Sequence, residues 1–301
     1  MQAILAASEH AEGLAREIAV ACEDEEQRAD IVATNGQHLL IGLLGAGPEA
    51  ETTKHAVGAL LDLSLLDGSE LQLIEAGVVA PTVALLRTEP TASNENVLAN
   101  AANLVNNLAQ TSAGIEACQK AGVIALLVPL LGAAPLVAAC AAGALRNLSR
   151  DAEAKKPANT TEILEAGAIP PLVALLHGET AYAASGALCN LASEAAAAAA
   201  IRSAGGMVPL VALLHAVAAR TAEHAAAALR NMSILDQQSR RAILAALAAR
   251  PPPPPHDGRP KLAKFLTRLQ LIATERLAAA EAGDDAAALQ QAIDQAAAVF
   301  V

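Results

Sequence analysis

Gly143-Ala144-Leu145-Arg146-Asn147-Leu148-Ser149 is one of five near-copies of a single phrase. The others are Gly58-Ala59-Leu60-Leu61-Asp62-Leu63-Ser64, Asn103-Leu104-Val105-Asn106-Asn107-Leu108-Ala109, Gly186-Ala187-Leu188-Cys189-Asn190-Leu191-Ala192 and Ala227-Ala228-Leu229-Arg230-Asn231-Met232-Ser233. The polar position falls at 62, 107, 147, 190 and 231, in steps of 45, 40, 43 and 41 residues. A weaker copy, Gly13-Leu14-Ala15-Arg16-Glu17-Ile18-Ala19, precedes the first by 45 residues. Periods in the forties predict a solenoid of stacked helical units.

A second phrase keeps step with the first. Ile74-Glu75-Ala76-Gly77, Gln119-Lys120-Ala121-Gly122 and Leu164-Glu165-Ala166-Gly167 each close a short apolar helix, and Asn35-Gly36 and Ala204-Gly205 fill the same slot. Glycine there takes the left-handed backbone that ends a helix without a Cβ clash. An apolar run follows each time: Leu39 to Leu44, Val83 to Leu86, Leu126 to Leu131, Leu172 to Leu176 and Leu210 to Leu214. Pro81, Pro170 with Pro171, and Pro209 open three of these runs, where a first helical turn tolerates proline. Each unit therefore reads as a short helix, a sharp turn, a second helix, a loop, and a longer third helix carrying the first phrase.

The two phrases together resemble the armadillo repeat family. The residues that carry the likeness are Ile163 to Leu176 followed by Gly186 to Ser193, and it extends over roughly residues 3 to 249. A HEAT-type array shares the period, but the Ala-Gly turn and the Asn of the third helix favour armadillo. The fold implied is all-α, a right-handed α-solenoid with three helices per repeat. Residues 1–23 would be a partial repeat, a third helix acting as a cap or as the end of a longer protein. Residues 24–249 would hold about five repeats and the first helix of a further one. Five prolines, Pro251 to Pro255, make 250–260 a semi-rigid linker or a docking motif for proline-reading domains. Residues 261–301 would form two helices, a cap or a tail.

The resemblance also implies a function. In armadillo proteins such as importin alpha, a row of Asn side chains on the third helices holds the backbone of an extended peptide. Asn107, Asn147, Asn190 and Asn231 match that row. An amide both donates and accepts, so a regular series can hold a peptide main chain whatever its side chains. An Asn in this slot can instead bond a neighbouring helix or turn. Asp62 and Glu17 stand in the row at the acidic end, where they would pair with Lys or Arg of a ligand. Import adaptors carry Trp four residues before the Asn. The equivalents here are Gly58, Asn103, Gly143, Gly186 and Ala227, so no aromatic wall is expected and recognition of a nuclear localisation signal is disfavoured; Asn103 is itself a candidate groove residue. Arg146, Arg150 and Arg230 stand beside the neutral half, to meet a carboxylate or phosphate or to be solvated. His10, His55 and His224 lie seven residues before the row, too far apart to share a metal.

Composition narrows the function classes. The chain has 301 residues, 54% hydrophobic but only 1% aromatic, which predicts closely packed helices with small contact residues. Residues 1–80 contain 14 Asp and Glu against 3 Lys and Arg, and residues 81–301 contain 17 of each, so the net charge of −11 sits at one end. No basic stripe suited to nucleic acid is present. The run Glu23-Asp24-Glu25-Glu26 reads as a solvated loop and helix start, or as a landing site for a basic partner. Cys22, Cys118, Cys140 and Cys189 are scattered without zinc spacing, as for free thiols in a reducing compartment. The N-terminus lacks the basic start and apolar core of a signal peptide. Residues 121–145 are uncharged, but Pro129, Gly132 and Pro135 are expected to break them into a buried helix pair rather than a membrane span. No GxSxG, phosphate loop, HExxH or Cys/His dyad appears, and no cofactor is implied. The reading is a non-enzymatic, cytoplasmic or nuclear adaptor that binds an extended segment of another protein. The alternatives are the substrate-reading part of a U-box-type ubiquitin ligase and, less favoured, a nuclear import adaptor.

Overall fold

The slot between the first and second helix of each unit fixes the local geometry. In the computed structural model it is filled by Asn35 (φ 59°), Gly77 (85°), Gly122 (66°), Gly167 (75°) and Gly205 (76°), all left-handed. Two backbone bonds then close the turn. Gly77 N–H donates to Ile74 O and Val78 N–H to Leu73 O; Gly205 and Gly206 repeat the pattern onto Arg202 and Ile201. This arrangement satisfies carbonyls left open at a helix end. It also turns the chain sharply: successive helices meet at 82°, 86° and 94° in three of the units.

The structure describes residues 2–150, 158–214, 216, 218–235 and 237–249. All regular structure among them is helical, as an α-solenoid requires. The expected linker 250–260 and tail 261–301 lie outside the described residues. The described residues fall into two compact units that divide between Ala166 and Gly167. The first opens with α1 (Gln2–Ala21), followed by α2 (Glu25–Ala33), α3 (Gln37–Leu43) and α4 (Glu51–Leu63). Next come α5 (Ser69–Glu75), α6 (Val79–Leu86) and α7 (Glu95–Leu108), then α8 (Ser112–Lys120), α9 (Val123–Leu130), α10 (Pro135–Leu148) and α11 (Ala158–Glu165). The second unit holds α12 (Ile169–Ala174), α13 (Ala181–Leu191), α14 (Ala195–Ser203), α15 (Met207–Leu213), α16 (Ala219–Leu235) and α17 (Gln237–Ala248).

Within the first unit the long helices stack in order, α1 on α4, α4 on α7 and α7 on α10. The shorter helices follow in parallel, α5 on α8 and α6 on α9. Within the second unit α13 packs on α16, and α12 on α14. Alanine makes this close stacking possible. Ala56, Ala59, Ala101, Ala102, Ala141, Ala142 and Ala144 are fully buried where the long helices meet, and Ala184, Ala187, Ala225 and Ala228 are buried in the same way in the second unit. Leucines of the phrase, Leu60, Leu63, Leu104, Leu108, Leu145 and Leu148, fill the remaining core. Burying a leucine contributes roughly 1.5–3 kcal/mol.

Residues 121–145 divide between α9 and α10, and no single helix among the described residues is long and apolar enough to cross a membrane. The break differs from the expected one in a detail. Pro129 sits inside α9, near its end, and the chain leaves the helix only after it, at Leu131. Proline there forgoes one backbone bond, and the apolar burial of Leu127 and Leu130 on either side keeps the turn helical.

One position tolerates no side chain. Thr111 caps α8 by accepting from the Gly114 N–H at 3.1 Å, which draws the helix start against the end of α7. A Cβ on Gly114 would lie 1.8 Å from the Leu108 carbonyl oxygen. Gly114→Ala should lower the urea midpoint by an amount equivalent to about 2–3 kcal/mol; an unchanged midpoint would show that the α7–α8 corner relaxes freely.

Candidate functional site

The row of polar residues on the long helices is where function was expected, and its hydrogen bonds run between repeats. Asn107 Nδ2 donates to Ser64 Oγ at 2.9 Å, and that hydroxyl donates in turn to Leu61 O. Asn147 Nδ2 donates to both Asn106 O at 2.8 Å and Asn106 Oδ1 at 3.0 Å. In the second unit Asn231 Nδ2 donates to Cys189 O at 3.3 Å. Each amide thus reaches back one repeat onto the preceding long helix. Asn107 and Asn147 are only 6% and 4% exposed. Losing a buried donor of this kind costs about 1–3 kcal/mol.

The other site residues differ in setting. Asn190 is half-buried on α13, Arg146 half-buried on α10, Arg230 exposed on α16 and Glu17 exposed on α1. Asp62 is half-buried on α4, against which α1 packs. Burial pushes its carboxyl above the ordinary aspartate range; Arg28 partly offsets this, and Glu23 adds to it. Ser64, Ser149 and Ser233 bond back to the carbonyls of Leu61, Arg146 and Arg230, as helix-end serines do. The acidic run begins α2: Asp24 accepts from the Gln27 N–H at 3.0 Å, and Glu25 and Glu26 occupy the first turn.

Three features escaped the sequence reading. Asn106 was passed over as the neighbour of a row residue, yet it is the acceptor for Asn147 and donates to Asn103 Oδ1 at 3.2 Å. Tyr182 and His224 come together across α13 and α16, with ring centroids 5.2 Å apart. Finally, between Glu95 and Asn106 every residue of α7 that is not buried is Glu95 itself or an asparagine: Asn96, Asn100, Asn106 and the groove candidate Asn103. The signal was available as asparagines at 96, 100, 103 and 107, a helical spacing.

The four cysteines are free. Burial pushes the Cys118 thiol up to about 12 and the Cys22 and Cys189 thiols up to about 11. All three are therefore protonated and poor nucleophiles near neutral pH. Among the described residues no three His, Cys, Asp or Glu side chains gather closely enough to hold a metal.

Asp62 yields a pH prediction. A carboxyl that binds its proton more tightly in the folded chain loses stability as pH rises through the aspartate range, and the loss persists above it. Asp62→Asn should therefore raise Tm at pH 7, with the gain vanishing below the ordinary aspartate pKa of 3.8. A lower Tm for the variant at pH 7 would mean that the carboxylate is stabilised by its surroundings.

Comparison with known proteins now bears on this geometry. The family model of the Armadillo/beta-catenin-like repeat matches residues 196–234. No curated protein sequence matches the chain significantly. Solved structures do. An engineered protein of the Northeast Structural Genomics Consortium is 30% identical, with 75% of this chain and 92% of that chain covered and a TM-score of 0.65. The designed armadillo repeat protein YIII(Dq)4CqI is 27% identical, over 73% and 92% of the two chains, with a TM-score of 0.64. Computationally designed armadillo repeat proteins for modular peptide recognition are 27% identical, over 72% and 91%, with a TM-score of 0.62. With its repeating phrases, its left-handed turns and its three-helix units, the chain belongs to the armadillo repeat family.

Proposed function

We propose that this chain is a non-enzymatic scaffold that holds an extended segment of a partner protein along the face that the long third helices make within each unit. The observation that carries the reading is the row of polar residues, one per long helix, set on an armadillo fold. A related design, 27% identical, was made for modular peptide recognition. On the first unit Asn107 and Asn147 mark the row, with Asn103 and Arg146 beside it and Glu17 and Asp62 at its acidic end; on the second unit Asn190 and Asn231 mark it, with Arg230 beside it.

The partner segment is basic toward the end that meets residues 1–80. That stretch carries 14 acidic against 3 basic side chains. Exposed carboxylates raise the local concentration of cationic ligands and speed their arrival, an effect that salt weakens. Four free thiols, two of them buried, suit a reducing compartment, so the scaffold acts in the cytoplasm or nucleus. The same face would serve as the substrate-reading part of a U-box-type ligase, and a U-box encoded in the same transcript would favour that use.

The test is direct. A fluorescein-labelled octapeptide of alternating Lys and Arg should bind the full chain, measured by fluorescence anisotropy, and an octapeptide of alternating Asp and Glu should not. Affinity for the basic peptide should fall severalfold between about 50 and 200 mM salt. Glu17→Gln with Asp62→Asn should weaken it about two- to fivefold. Equal binding of the two peptides, or none of either, contradicts the proposal.

A further inference from the structure

Three large apolar side chains stand in water where a long helix gives way to the first helix of the next repeat. Val20, near the end of α1, is 61% exposed, and Leu65, just past the end of α4, is 60% exposed. Both lie three residues after the row position of their repeats, and α1 packs on α4. In the next three repeats that place is Gln110, Arg150 and Ser193. Leu71 on α5 is 52% exposed and lies six residues before the turn slot, a place held elsewhere by Ala29, Glu116, Thr161 and Ala199. Ser69 Oγ donates to Leu63 O at 2.7 Å, which ties the start of α5 to the end of α4 and keeps Leu65 and Leu71 on one corner. Single apolar side chains on a surface are ordinary, but three at this junction in neighbouring repeats mark a contact.

Carboxylates rim these side chains. Glu23, Asp24, Glu25 and Glu26 follow Val20 and are exposed; exposed Asp67 and half-buried Glu70 lie between Leu65 and Leu71. The one cation within residues 20–30 and 65–75 is Arg28, which is turned onto the chain, its Nη1 donating to Cys22 O at 3.1 Å. An apolar corner ringed by negative charge selects a ligand that is apolar on one side and basic beside it. Ile234 on α16 is exposed as well, but the helix that follows it, α17, brings Arg240 and Arg241 in place of carboxylates.

The chain itself contains a ligand of that chemistry. Residues 259–274 include Arg259, Lys261, Lys264 and Arg268 and no carboxylate. Leu262, Phe265, Leu266, Leu269 and Ile272 recur there at the spacing that lines one side of a helix. We infer that residues 259–274 of a second copy of this chain dock on Val20, Leu65 and Leu71, with their cations against the surrounding carboxylates. The corner belongs to the first two repeats, and the segment follows the last one. Beyond α4 the long helices α7 and α10 stack in turn, and a unit of a solenoid touches only its neighbours, so the segment that meets the corner comes from another molecule. Given in both directions, the contact closes a two-fold dimer. The inference uses neither the polar row nor the peptide-binding reading.

The experiment uses the full chain. Sedimentation velocity should show a monomer–dimer equilibrium whose dimer share falls as salt rises. Leu65→Gln with Leu71→Gln should weaken the dimer about tenfold, and Lys261→Glu with Lys264→Glu should do the same. Val208→Gln, at an equally exposed apolar position on α15, should leave dimerisation unchanged. All three variants should keep wild-type helicity. With the photocrosslinker benzoylphenylalanine in place of Phe265, irradiation should join two chains through residues 20–30 or 65–75, read by mass spectrometry. A chain that stays monomeric at high micromolar concentration, a dimer indifferent to the Leu65 and Leu71 changes, or crosslinks confined to a single chain would overturn the inference.

Discussion

One bond recurs from repeat to repeat: a side-chain amide at the end of a long helix donates to the long helix before it. Asn107 does this to Ser64, Asn147 to Asn106 and Asn231 to Cys189. Alanine-lined helices can slide along one another, because small apolar contacts are nearly the same at neighbouring registers. A directional bond from a buried donor removes that freedom, since a slip of one residue leaves the donor unpaired. Apolar burial supplies most of the stacking free energy, and the amide bond selects one register.

The repeat and its turns were legible in the sequence because they depend on local chemistry. Two phrases recur in step, and a left-handed slot can be read from a Gly or Asn at a fixed place after an apolar helix; Asn35 and Gly77 fill it as their residue types suggest. Pro129 was read as a breaker, yet it lies within α9, because the apolar contacts around it outweigh one missing backbone bond. The close approach at Gly114 was not legible at all. It depends on how α7 and α8 meet, and no phrase marks it.

The site was legible by position and less so by use. The polar row sits on consecutive long helices, but whether an amide turns to solvent or to its neighbour is set by contacts between residues about forty apart. Sequence periodicity finds such positions without giving their partners. Asn106 shows the difference: adjacent to the row and outside the phrase's logic, it accepts two bonds from Asn147. The asparagines of α7 lie at helical spacing, but only the hydrogen bonds show which of them the chain engages across repeats, Asn106 and Asn107. The charge asymmetry needed no structure, because it is a property of composition along the chain.

The register-setting role of the amides is tested most directly by a double-mutant cycle on Ser64 and Asn107, with stability measured by urea unfolding of the wild type, Ser64→Ala, Asn107→Ala and the double variant. A coupling of about 1 kcal/mol is expected for a buried hydroxyl–amide bond between neighbouring helices. Single-variant effects that add to within about 0.3 kcal/mol would contradict the account.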